Sequence, residues 1–204
     1  MRVLSGFAVV ALFIGLLMSD AAAVPIDYIS ATTVPTTFSN SGGDFGKGTL
    51  TVLGVRNLHI YNIDGTHEVV TDGVVDISTS LSADNSAGGI VNGSFRHGSV
   101  TLKDSAGVVL LTGPVTILDL LEFMDDLGIL NAAGAFAVTS GTLMPRFGGE
   151  GTIVDLVFNT DPMAIDDLSQ SFTGYSDLSL QVPEPISLSL LGIGLAGLAL
   201  RRKR

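Results

Sequence analysis

The chain has 204 residues, 46% of them hydrophobic, and a formal charge of −10 at pH 7. Residues 24 to 183 carry 5 Lys or Arg against 18 Asp or Glu, a formal −13, which argues against nucleic acid and anionic membrane surfaces, since both select a basic patch. With no cysteine and no tryptophan, the sequence excludes disulfides, thiol nucleophiles, cysteine–zinc sites, c-type haem attachment and tryptophan-lined sugar platforms.

Arg2 opens the chain with a positive charge, an apolar run follows from Val3 to Met18, and Ala21-Ala22-Ala23 supplies small residues beyond it. This is the layout of a secretory signal peptide, with Ala21 and Ala23 recognised by signal peptidase and cleavage after Ala23. The alternative is an uncleaved N-terminal helix. Residues 24–182 then form one extracytoplasmic domain, long enough for a real core.

Residues 30 to 48 are rich in Ser, Thr and Gly and read as a loose N-terminal segment. Beyond them, short β-prone runs alternate with turn residues. Asp64-Gly65 and Asp72-Gly73 separate the runs 58–63, 66–71 and 74–77, and Asp-Gly between apolar runs is a hairpin signal, so a three-strand meander is expected. Further strands are expected at 99–103, with Val100 and Leu102 inward, at 108–111, and at 152–158, with Val154, Leu156 and Phe158 on one face. Leu178, Leu180 and Val182 share a face in the same way. The spacing of Leu118, Leu121, Met124 and Leu127, after a capping-box-like Thr116 to Asp119 and before Gly128, predicts one amphipathic helix. The fold expected is therefore mainly β, a single antiparallel β-sandwich-like domain with that helix on a sheet face.

Chemistry-bearing constellations are few. His59 and His67 flank the Asp64-Gly65 turn, but counting from the turn pairs His67 with Ile60 or Tyr61, and a metal site wants three or four convergent ligands. They read as exposed strand histidines, as does the separate His97. No Gly-x-Ser-x-Gly elbow is present, and the adjacent pairs Asp125-Asp126 and Asp166-Asp167 point apart on regular elements. No catalytic residue and no cofactor is expected. Asp161, Asp166 and Asp167 fall in an expected loop, where carboxylates suit a hard cation, so they are the calcium candidates, without EF-hand spacing.

At the C-terminus, Val182-Pro183-Glu184-Pro185 precedes an apolar run from Ile186 to Leu200 and the cluster Arg201-Arg202-Lys203-Arg204. Residues 186–200 predict a short transmembrane helix whose four cations stay cytoplasmic. Gly192 to Gly197 spells G-x-G-x-x-G, but the strand, helix and distant acidic residue that a dinucleotide site requires are missing. The order of Pro-Glu-Pro, glycine-rich apolar helix and basic cluster resembles a PEP-CTERM sorting signal of exported Gram-negative proteins, over residues 183–204. The resemblance implies recognition of Pro183, Glu184 and Pro185 by exosortase, passage through the inner membrane, and delivery to the cell surface or an extracellular matrix. It implies an association with exopolysaccharide and biofilm. The function expected is a non-catalytic structural component of the cell surface or matrix; the alternatives are a sugar- or calcium-binding module and a secreted hydrolase.

Overall fold

Alternating apolar and hydroxyl-bearing side chains cannot bury their apolar half as single strands, so each strand must pair and curl around a shared interior. The computed structural model describes residues 25–40, 47–122, 129–162, 165 and 167–182. In it the pattern becomes eight strands: β1 (Ile26–Ser39), β2 (Thr49–Asn62), β3 (His67–Asp84), β4 (Asn92–Lys103), β5 (Val109–Glu122), β6 (Leu130–Ala137), β7 (Ile153–Pro162) and β8 (Phe172–Gln181). Each pairs antiparallel with the next, and β8 returns to β1, closing a barrel. The mainly β expectation holds, but the sandwich does not. Tyr28 to Phe38 pair with Gln181 to Phe172, so a single sheet closes on itself and leaves no edge. Period-two alternation is the same in both architectures, because each buries one face of every strand.

The expected amphipathic helix is also corrected. Residues 109–122 form β5, paired with β4 and β6, and residues 123–128 lie outside the described residues. A bulge at Thr116, between Val115↔Phe136 and Ile117↔Ala135, shifts the inward phase by one residue. Inward positions therefore run Gly113, Val115, then Leu118 and Leu120, and the helical spacing of Leu118 and Leu121 joins residues on opposite faces of the strand. Leu121, expected inside, is 45% exposed.

Similar bulges decide two other segments. Asp64-Gly65 does turn β2 into β3, with the Asp64 carboxylate accepting from the Thr66 amide at 2.9 Å and the Thr66 hydroxyl at 2.6 Å. Asp72-Gly73 does not turn. Asp72 sits at φ 53 in a bulge opposite Asn57, and β3 continues to Asp84. The segment read as loose is β1, whose inward residues Ile29, Ala31, Val34, Thr36 and Phe38 step across a register shift between Ala31 and Val34. The strands expected at 99–103, 152–158 and 178–182 are present in β4, β7 and β8, with Val100, Leu102, Val154, Leu156, Phe158, Leu178 and Leu180 buried.

The interior is packed. Phe38, Phe95, Phe136, Phe147 and Phe158 are fully buried; the Phe38 and Phe95 rings meet edge to face at 5.8 Å. Three hydroxyls inside are satisfied in sequence. The Thr160 and Thr36 hydroxyls lie 2.6 and 2.5 Å from the Ser176 hydroxyl, and Thr36 donates to the Val34 carbonyl at 3.3 Å. A relay in which each hydroxyl donates once meets the rule that a buried polar group needs a partner.

Candidate functional site

Because strand directions alternate, the odd strands begin, and the even strands end, at one mouth of the barrel. The described chain enters and leaves at that mouth. Val182 donates its amide to the Asp27 carbonyl at 3.2 Å, and Ile63 donates to the Pro25 carbonyl at 3.1 Å. The turns at 63–66 and 104–108 lie there, together with the long connection 138–152.

That connection closes the mouth. Pro145 presets the first turn of a short 3-10 helix, Met144–Phe147, and Gly148 ends it in the left-handed region at φ 100. Leu143 and Phe147 point into the barrel and are buried. Arg146 reaches across to the opposite wall, since β3 and β7 are four strands apart in a ring of eight. Its guanidinium donates to Glu68 Oε1 at 2.5 Å and Oε2 at 3.2 Å, and to Asn62 Oδ1 at 2.6 Å. Asn62 in turn donates to Glu68 Oε1 at 2.9 Å. The Arg146 bond, then the Asn62 bond, hold the Glu68 carboxyl below its ordinary pKa. Neither the connection nor the latch was expected from the sequence; the signal available was Leu143-Met144-Pro145-Arg146-Phe147-Gly148, an apolar pair around a proline start and a glycine stop.

The opposite mouth carries a cleft of about 340 Å³, lined by Thr37, Ser39, Gln170, Ser171 and Thr173 around the Phe38 and Phe172 rings. The outer wall between the mouths is largely polar. Ser94, Arg96, Ser99 and Thr101 face out from β4, and Thr173, Asp177 and Ser179 from β8, beside scattered apolar residues such as Ile117 and Val157. A barrel built to cross lipid carries the reverse arrangement, apolar outside and polar within.

The sequence-derived candidates are placed as follows. Asp161 lies on β7; Asp167 Oδ1 is engaged by the Ser169 amide at 2.9 Å and hydroxyl at 2.5 Å, a local turn; Asp166 lies outside the described residues. Among the described residues no three His, Cys, Asp or Glu side chains converge as metal ligands. His67 pairs with Tyr61 in register, as counted from the turn, yet its ring also reaches His59 diagonally, at 3.1 Å between ring nitrogens. Ala21 and Ala23, the sorting residues Pro183, Glu184 and Pro185, the apolar run 186–200 and the cluster Arg201 to Arg204 lie outside the described residues. Among the described residues no helix is long and apolar enough to cross a membrane.

Residues 181–204 match the family model of the PEP-CTERM protein-sorting motif. The tail is a PEP-CTERM sorting signal. The motif begins at the last residue of β8, so it is continuous with the latched mouth. A PEP-CTERM signal implies export, a membrane-anchored precursor, and exosortase as the processing enzyme. Neither a curated protein nor a solved structure matches the chain.

Proposed function

We propose that the barrel is a non-catalytic structural component of the cell surface or extracellular matrix, linked to exopolysaccharide or biofilm and delivered there through its PEP-CTERM tail. The observation that carries this reading is a barrel filled with phenylalanine and entered and left at one latched mouth. A filled interior leaves no room for a cargo, and an eight-stranded barrel is just wide enough for its own side chains. With both flanking segments at one mouth, the opposite mouth and the polar wall face away from the point of attachment.

In this reading signal peptidase recognises Ala21 and Ala23. Exosortase recognises Pro183, Glu184 and Pro185 while the apolar run 186–200 holds the precursor in the inner membrane. Arg201, Arg202, Lys203 and Arg204 stop translocation on the cytoplasmic side. The test is the mass of the protein recovered from native cells and medium, for the wild type, Glu184→Ala and a deletion of residues 201–204. Loss of both ends in the wild type, with the tail kept in both variants, supports the reading. A wild-type mass that still includes Arg204, in the membrane fraction, overturns it.

The cleft at the far mouth favours a second reading, a sugar-binding module. Its hydroxyls and the Gln170 amide suit a polyol. Retention on purified exopolysaccharide that is lost on Gln170→Ala would select it.

A further inference from the structure

Two imidazoles meet on the outer wall, near the latched mouth. His59 lies on β2 and His67 on β3, on the same face and one diagonal step apart, since Tyr61 pairs with His67 and His59 with Val69. His59 Nδ1 and His67 Nε2 are 3.1 Å apart. The ring planes agree within 5° and the centroids are 5.2 Å apart. His67 is held on one side. Tyr61 stacks on His67 at 4.6 Å and 22°, and Tyr28 stacks on Tyr61 at 4.3 Å and 16°, giving a row of rings across β1, β2 and β3.

We propose that His59 and His67 form a two-imidazole site for a divalent late-transition-metal ion, copper(II) ahead of zinc. Metal–imidazole bonds of about 2.0–2.1 Å at angles between square-planar and tetrahedral place two nitrogens of one ion about 2.9–3.4 Å apart. The observed 3.1 Å falls within that bite, and it is set by a paired backbone rather than by a loop. In the free protein the same two nitrogens share one proton, one ring donating and the other accepting. Binding requires the rings to turn until both lone pairs point at the ion, and transfer of that proton to the other nitrogen of its own ring. No proton is lost overall, and no oxidant or reductant is needed. Water completes the coordination, because His67 is exposed and the outer wall is open above it. Copper ranks above zinc by the general order of divalent affinities for nitrogen donors.

The test is a titration of the full-length chain in mild detergent with copper(II) chloride, followed by calorimetry and by electron paramagnetic resonance. The expected result is one tight ion per chain with two nitrogen ligands in its hyperfine pattern. His59→Gln and His67→Gln should each weaken binding by about tenfold or more and leave one nitrogen, because a chelate loses its intramolecular second step when either ligand goes. His97→Gln, on β4, should bind as the wild type does. All three substitutions are on the outer wall, and far-UV circular dichroism checks that each variant keeps the barrel. A loss below tenfold in either of the first two variants, or an equal loss in His97→Gln, overturns the assignment.

Discussion

Removing Arg146 unlatches the near mouth, and the structure sets the size of the effect. Arg146 is 15% exposed and Glu68 48%, so the ion pair itself stands close to water and contributes about 0.5–1 kcal/mol, the upper part of the surface range. The bond to Asn62 is worth more, because Asn62 is buried and its carbonyl oxygen loses this donor; that adds about 1–2 kcal/mol. Arg146→Ala should therefore cost about 1.5–3 kcal/mol, Glu68→Gln about 0.5–1, and the double variant should reveal a coupling of about 0.5–1 kcal/mol. Urea unfolding of the full-length chain in mild detergent, followed by far-UV circular dichroism, measures all three. The pH dependence has a defined sign. The folded Glu68 pKa lies below the ordinary carboxylate value, so its contribution is complete above that value and is lost as pH falls through the folded one. The cost of Arg146→Ala should shrink between pH 7 and pH 3, leaving the Asn62 part. A cost under about 0.5 kcal/mol at pH 7 would refute the latch, given the range for a lost buried partner; an undiminished cost at pH 3 would refute the ionic part of it.

Other expectations follow from packing. Phe158→Ala opens a cavity in the filled interior and should cost about 3–5 kcal/mol in the same urea assay. Leu120→Asp should abolish folding, while Leu121→Asp on the adjacent outward position should cost under about 1 kcal/mol; the reverse ranking would restore the helix. A side chain at Gly134 would meet the Ile117 carbonyl and the Leu118 backbone, so Gly134→Val should part β5 from β6 and leave the chain sensitive to protease. Ser176→Ala breaks the hydroxyl relay between Thr160 and Thr36 and should cost about 1–2 kcal/mol.

The parts of the fold legible in the sequence were those where period-two alternation ran without interruption. Val100 and Leu102, then Val154, Leu156 and Phe158, then Leu178 and Leu180, all point inward as their spacing required. Interruptions of that pattern hid the rest. Apolar residues on both faces of β5, Leu118 and Leu120 inside and Leu121 outside, gave the strand an apparent helical spacing, and the Asp72 bulge turned a continuous strand into an apparent turn. In β1 the step between Ala31 and Val34, together with inward Thr36, masked a strand among hydroxyl residues. Closure was not legible for a different reason. It depends on β1 meeting β8, a pairing across almost the whole domain that local pattern does not encode. The sorting tail was legible because its signal is local and linear, and the family match to residues 181–204 agrees with it. The latch was hidden because it arises between distant residues, and the count from the turn gave the strand partners of the two histidines but not their diagonal contact.

Closure also bears on how a sorting tail can be removed from a folded protein. The last strand pairs are Gln181 with Tyr28 and Gln181 with Asp155, and the last backbone bond of the described chain ties Val182 to Asp27. Cleavage anywhere beyond Val182 therefore leaves every one of the eight strands paired. Every pair that closes the sheet lies within residues 26–181. Export and processing can then proceed on a finished barrel, and the circular dichroism spectrum of its β structure should be the same before and after the tail is lost. A barrel that unfolded when the tail was removed would show that residues beyond Val182 hold it closed, and would overturn the separation of sorting from structure.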